Sequence, residues 1–402
     1  MKLLICTQKV DINDDVLGFF HSWIREFAKH YEKVTVICLY KGEYDLPENV
    51  KVLSLGKERK KNFQSRIGPV VPTGLYGFSI FPPEADPPLA DNFQSIINFQ
   101  FFNKIAYILK FYKYIFSEKG NYDKVFVHMN SEYAVLGGGL WRLWNKKIGL
   151  WYVHKAIPWQ LRIAEKFVDV IFTASKESCN LKSNKIRVIG HGIDLEKFQI
   201  TNPKFQTLPT GRQVNSKFVI VYVGRISRIK NQELLIRAID ILRNDDLSVK
   251  LIGGTVYDQD KDYLDKLKKL VKEKKLDDVI EFVGAVPNKD IGGYYGEADL
   301  ALNLCPTGGV DKAVLEAMAA GVPVIVFNKT FADVLGDYKE EMILRAENAE
   351  ELAGKIKNIM GWGVEKRESA GKDLRGVVKE NYGLESLIGK IKNLLKMILL
   401  LI

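Results

Sequence analysis

The chain has 402 residues, 47% hydrophobic and 27% charged, with a formal net charge of +10 at pH 7. This is the composition of a soluble globular protein, and the length suits two domains of roughly 150 to 200 residues. The charge favours anionic partners such as nucleic acid, acidic lipid or phosphorylated substrates, and equally fits a solvated surface built from lysine runs such as 57–61 and 266–275. Cys6, Cys38, Cys179 and Cys305 are far apart and form no Cys-x-x-Cys pair. That argues against disulfide or zinc frameworks and for a reducing cytoplasm. "MKLLIC" runs straight into polar residues, so no signal peptide is read, and no apolar run approaches the roughly 20 residues of a membrane span.

In chain order, residues 2–6 predict a buried strand. Residues 18–31 predict an amphipathic helix with Phe20, Trp23, Ile24 and Phe27 on one stripe. Strands follow at 33–40, 124–130, 147–154, 169–175 and 185–194. Strands alternating with helices imply a mostly parallel sheet covered on both faces. The rhythm restarts after residue 215. A strand at 217–225 leads to a helix at 231–242, with Asn231 as its cap and Glu233 in its first turn. Strands at 248–254, 279–286, 298–304 and 322–328 follow, with a lysine-rich helix among them. The predicted fold class is therefore α/β, with two doubly wound, Rossmann-like domains. The first spans 1–201, a linker 202–216, and the second 217–385.

Residues 66–94 and 202–216 are rich in Pro, Gly and polar residues and lack periodicity. They are read as loops, the first as a surface insertion in preference to an active-site lid. The tail, 386–402, is apolar but interrupted by Lys390, Lys392 and Lys396. It is read as a docking helix on the N-terminal domain in preference to a membrane-surface helix.

Ligands of open parallel sheets bind beyond the carboxyl ends of the strands. The residues there include Gly18, His128, His154, Gly192, Gly224, Arg225, Gly253, Gly254 and Val286. Arg225 and Lys230 put two cations at a strand-to-helix crossover, which suits a diphosphate and also suits two solvated charges. In "CPTGGVDKAVLEAMAAGVPVIV" (305–326), Gly308 and Gly309 let backbone pass close to a ligand. Asp311 or a neighbour starts a helix whose free N–H groups could hold phosphate oxygens. Glu316, a turn further in, is either a structural carboxylate or an acceptor for the vicinal hydroxyls of a ribose. Gly321 stops the helix. His128 and His154, each after a strand, are either satisfied structural side chains or a pair facing one cleft.

Six segments together carry a resemblance: "VIGHGIDLEKF" (188–198), "VGRISRIKNQELLIRAI" (223–239), "LIGG" (251–254), "VIEFVGAVP" (279–287), "YYGEADLALNLCP" (294–306) and "LEAMAAGVPVIV" (315–326). The chain resembles glycosyltransferase family 4, retaining nucleotide-sugar enzymes of GT-B fold. The resemblance implies two Rossmann-like domains facing across a cleft. It implies that Arg225 and Lys230, beside Gly224, neutralise the donor diphosphate. Glu316, the second acid of a Glu-x7-Glu pattern, would bind the ribose. Gly308, Gly309, Val310, Asp311 and Lys312 fall on the loop whose amides hold phosphate and sugar, and Val286 falls where backbone meets the base. Gly18 lies on a loop that approaches the diphosphate. His154 looks like the active-site histidine. The sequence departs from the pattern at three places: Gly308 stands for the first acid, Asp311 for the usual glycine, and the loop 7–18 lacks a Gly-Gly pair.

The implied activity is retaining transfer of a hexosyl group from a UDP- or GDP-linked donor to a hydroxyl of a glycan or lipid-linked acceptor, with His154, Arg225 and Lys230 as the catalytic set. No cofactor and no metal are implied. Weak association with an anionic surface at the inner face of the cytoplasmic membrane is expected from charge and tail. A nucleotide-sugar epimerase and a non-catalytic nucleotide-sugar-binding paralogue are the alternatives, the latter supported by Gly308. Nucleic acid is not expected, since no basic recognition helix or aromatic platform is recognisable.

Overall fold

A computed structural model describes residues 1–60, 90–198 and 217–397. The linker 202–216 and most of the segment 66–94 lie outside the described residues. Residues 90–94, read as loop, are instead the first turn of a helix. The chain divides into two compact units, Met1–Ile189 with Ile388–Ile402, and Gly190–Leu387.

The first unit is built on a parallel sheet of β1 (Lys2–Val10), β2 (Lys33–Lys41), β3 (Val50–Ser54), β4 (Lys124–His128), β5 (Lys147–Trp151), β6 (Val170–Thr173) and β7 (Ile186–Val188). The strand order is β3-β2-β1-β4-β5-β6-β7. β1 runs through Val10, so residues 7–10, expected as loop, are strand paired with β2. β3 is an edge strand with no fully buried position, which is why it carries too weak an apolar signal to be read from sequence. Helix α1 (Phe19–His30) buries Phe20, Trp23, Ile24 and Phe27, the stripe its spacing predicts. Two further helices, α2 (Ala90–Ser117) and α3 (Ser131–Leu143), and a short α4 (Trp159–Phe167) complete the layers.

The second unit has β8 (Phe218–Val223), β9 (Leu247–Ile252), β10 (Ile280–Gly284), β11 (Leu300–Asn303) and β12 (Val324–Val326), all parallel, in the order β10-β9-β8-β11-β12. Its helices include α5 (Gln232–Leu242), α6 (Asp258–Glu273), α7 (Ile291–Glu297) and α8 (Lys312–Ala319), then α9 (Ala349–Met360), α10 (Val364–Tyr382) and α11 (Leu384–Met397). Residues 190–198 count with this unit because Ile193 and Phe198 are buried in its core, and the Ile193 N–H donates to the Tyr382 carbonyl at 2.8 Å. α11 runs on from this unit into the first. There Ile388, Ile391 and Leu395 are buried, and a Cβ on Gly149 would sit 3.1 Å from Leu395.

Both sheets share one topology. From the central strand the chain steps outward on one side, through β2 and β3 or β9 and β10, then crosses to the other side at β4 or β11. Each unit therefore has a switch point, where two adjacent strands send their connections in opposite directions and leave a crevice at their carboxyl ends. In the first unit it lies between β1 and β4, in the second between β8 and β11.

Candidate functional site

At the switch point of the second unit, β8 ends at Val223, and Gly224 donates its N–H to the Ile252 carbonyl at 2.9 Å. Arg225 comes next and is exposed. Its guanidinium lies 5.8 Å from the Tyr257 ring, a contact that orients the side chain without cancelling its charge. A single turn, Arg228–Lys230, leads to Asn231. Asn231 precedes α5, but it sits in the left-handed region (φ 56°) and its side chain caps nothing, which corrects the expected cap. The Tyr222 hydroxyl joins the two sides of the crevice. It accepts from the Leu304 N–H at 3.0 Å and donates to the Lys230 carbonyl.

The other wall starts at Asn303, the buried last residue of β11. The chain then turns through Gly308, whose φ of +127° only glycine adopts easily. The Asn328 amide clamps this turn, donating to the carbonyls of Gly308 and Gly309 at 3.0 and 3.1 Å. Val310 packs half-buried against the core of the unit. Asp311 caps α8, its Oδ1 accepting from the Ala313 N–H at 3.1 Å. Its Oδ2 lies 2.5 Å from Lys230 Nζ and accepts from Asn303 Nδ2 at 2.9 Å. Burial alone would raise the Asp311 pKa. The Lys230 ammonium, the Asn303 amide and the Ala313 N–H overcome it and hold the carboxylate down at about 2. One turn into α8, Glu316 is buried and hydrogen-bonded to Lys312 Nζ. The helix stops at Gly321 (φ +75°), where α10 passes so close that a Cβ on Gly371 would run into the Gly321 carbonyl.

The structure therefore brings Lys230, Gly308, Gly309, Asp311, Lys312 and Glu316 into one constellation, with Arg225 on the adjoining turn. Asp311 starts α8, as its place in the sequence suggests, and caps the Ala313 N–H. Glu316, read as either a structural carboxylate or an acceptor for a diol, accepts from Lys312.

Sequence reasoning missed several members. Asn303, Asn328 and Tyr222 are polar groups inside apolar strands or loops, and only their tertiary partners give them away. His191 hydrogen-bonds the Val310 backbone, and burial, opposed by Asp311 and Glu316, pushes its pKa down to about 4. Lys197 donates to Asn288 Oδ1 at 2.6 Å. Burial, partly offset by Glu316, brings its pKa down to about 8. Val286, after β10, is half-buried against the core of the same unit.

Gly18 and His154 belong to the first unit. Gly18 is buried at the start of α1 and donates to the Asp14 carbonyl at 3.2 Å. Asp14 closes that loop, accepting from the N–H groups of Val16 and Leu17 at 3.0 and 2.5 Å and pairing with Lys9. His154 is exposed, its ring 6.2 Å from Tyr152. His128 does not face a cleft. It is 1% exposed, stacked on Phe20 at 3.8 Å, with Nδ1 3.2 Å from Thr7 Oγ1. Burial pushes its pKa down to about 3, so it is a neutral core residue. The four cysteines are buried and free. Among the described residues no three His, Cys, Asp or Glu side chains converge to hold a metal, and no helix is long and apolar enough to cross a membrane.

Comparison with known proteins gives a family match within the second unit. Residues 208–377 match the family model of glycosyl transferases group 1. A D-inositol 3-phosphate glycosyltransferase of Arthrobacter sp. (strain FB24) is 28% identical over 183 residues, 41% of each chain. An alpha-monoglucosyldiacylglycerol synthase of Streptococcus pneumoniae (strain ATCC BAA-255 / R6) is 27% identical over 157 residues, 37% of this chain and 34% of that protein. The chain thus spans less than half the length of these curated relatives. Likeness of fold extends further. The crystal structure of HepE from Anabaena with UDP and glucose superposes with a TM-score of 0.68 at 16% identity, covering 98% of this chain and 99% of that one.

Proposed function

We propose that the chain is a retaining glycosyltransferase, on the ground that residues 208–377 match the family model of glycosyl transferases group 1. It takes a sugar from a UDP- or GDP-linked donor and passes it to a hydroxyl of a glycan or lipid-linked acceptor, without a metal. The observation that carries this reading is the coincidence of the family match with the polar switch point, where Arg225, Lys230, the Gly308–Asp311 turn and Glu316 converge.

In this reading Arg225 and Lys230 hold the diphosphate and stabilise the negative charge that grows on it as the glycosidic bond breaks. Preorganised cations of that kind supply a large share of catalysis without reorganising. Their two positive charges stand in for the charge a divalent ion would bring. Glu316 binds the ribose, Val286 borders the base, and the acceptor hydroxyl attacks the face the diphosphate leaves. The resemblance gives Gly18 a place on a loop that approaches the diphosphate and His154 the part of the active-site histidine. A lipid-linked acceptor goes with a cytoplasmic protein held weakly at the inner membrane face by its net positive charge. Sedimentation with anionic vesicles at low salt tests that part, and a protein left in the supernatant contradicts it.

The test of the core reading is thermal stabilisation by UDP, GDP, ADP and their sugars, with and without EDTA, beside Arg225→Ala. One nucleotide series should stabilise the protein regardless of EDTA and fail in the variant. No shift with any of them overturns the reading. The pairing of Lys230 with Asp311 and of Glu316 with Lys312 favours one second reading, a subunit that binds nucleotide sugar without turning it over. Stabilisation with no hydrolysis or transfer against any acceptor would select it.

A further inference from the structure

Asp311 and Lys312 are adjacent at the start of α8, and each holds one of the two charged groups assigned to the donor. Asp311 brings a carboxylate to the Lys230 ammonium at 2.5 Å, to the Asn303 amide at 2.9 Å and to a helix-start N–H at 3.1 Å. An ammonium, an amide and a helix-start N–H around one anion is the donor set that recognises a phosphate oxygen. Lys312 hydrogen-bonds the Glu316 carboxylate from one turn away, the contact a diol would make with that acid. The two pairs thus imitate the two ends of a nucleoside diphosphate at the two groups expected to bind it.

We propose that Asp311 and Lys312 are an internal stand-in for the donor, setting its affinity and its selectivity for ribose, because both ion pairs must be exchanged when a nucleoside diphosphate binds. This rests on the reading of the site as a nucleotide-sugar site. The physical ground is charge. A diphosphate beside the Asp311 carboxylate meets like charge at a half-buried position, and the carboxylate also offsets the positive end of the α8 dipole. Lys230 cannot serve both anions at full strength. Glu316, with its side chain 6% exposed, has Oε1 engaged by Lys312, so a diol must compete with that ammonium for the oxygen.

The experiment titrates the full chain, Asp311→Asn, Asp311→Gly and Lys312→Leu with UDP, GDP and ADP and with their 2′-deoxy counterparts. Asn can keep the Oδ1 cap on the Ala313 N–H while it removes the charge and the Oδ2 acceptor that Lys230 and Asn303 use, and melting curves verify that each variant folds. Asp311→Asn should bind the nucleotide that stabilises the native chain about five- to tenfold more tightly, roughly 1 to 1.4 kcal/mol. Lys312→Leu should widen the preference for ribose over 2′-deoxyribose by about fivefold. Equal or weaker binding in Asp311→Asn, with the native chain still binding, overturns the stand-in and leaves the donor site intact. No binding of any nucleotide by native chain or variants overturns the site itself.

Discussion

The two units carry the same topology, yet the corresponding strands β4 and β11 end differently at their switch points, one in a histidine packed among aromatic rings and the other in an asparagine that holds a carboxylate. At the first switch point, His128 closes β4 and is sealed beneath Phe20, Phe19 and Trp23. At the second, Lys230 faces Asp311, Asn303 holds Asp311, and Asn328 holds the glycine turn. A strand end at a switch point is therefore an opportunity for chemistry and no more. What converts it is a set of polar partners drawn from several elements, which keeps charge at the surface instead of displacing it.

The largest expected effect that would break this contrast is on Arg225. Arg225→Ala should lower kcat/KM about 100-fold or more, some 2.7 kcal/mol of lost charge stabilisation. His128→Phe should leave nucleotide affinity within about twofold, since the ring has no route to a ligand. Parallel titrations of the two variants check the pair, and a comparable loss in His128→Phe would put the first switch point back into the site.

The second effect concerns pH. The His128 pKa is depressed from 6.5 to about 3, and that of His191 from 6.5 to about 4. In each case the unfolded chain binds a proton the folded one refuses. Stability is therefore full above about pH 6.5 and falls with pH, each histidine adding a slope of up to about 1.4 kcal/mol per pH unit. His128→Phe should remove one such slope in denaturant melts between pH 6.5 and pH 4. An unchanged slope would mean that His128 is protonated in the native state.

Third, Asp311 is depressed from 3.8 to about 2. Its contribution is present above pH 3.8 and lost as pH falls through 2, on the order of 2 kcal/mol. Asp311→Asn should flatten acid unfolding in that range, read by circular dichroism. The smallest effect is at Gly308. Gly308→Ala forces a Cβ into φ +127° and should cost about 1 to 2 kcal/mol. The same strain means that Gly308→Glu will not restore a carboxylate at this position in a useful orientation. Melting temperatures of both variants test it, and a neutral substitution would show that the turn can rearrange.

How much of this was legible in the sequence depended on the range of the cause. The strands were, because buried parallel strands are continuous apolar runs such as 36–39 and 125–127. The α1 stripe was, because its period is local. α3 was not, since Gly137, Gly138 and Gly139 break the pattern. Gly138 is there because Phe167 packs against it, a fact no local window contains. In the site, Arg225, Lys230 and Glu316 were legible from strand-end position and motif. Their pairing was not, since Lys230 and Asp311 are 81 residues apart and Lys197 and Asn288 are 91 apart. The motif locates the charges, and only the fold shows that they are already engaged.

The most direct test is amide hydrogen exchange of the full chain with and without the nucleoside diphosphate that stabilises it. Slowed exchange at 224–232 and 305–316, with 128–131 unchanged, is the predicted result. Protection at 128–131 with none at 305–316 would contradict the assignment of the donor site to the second unit.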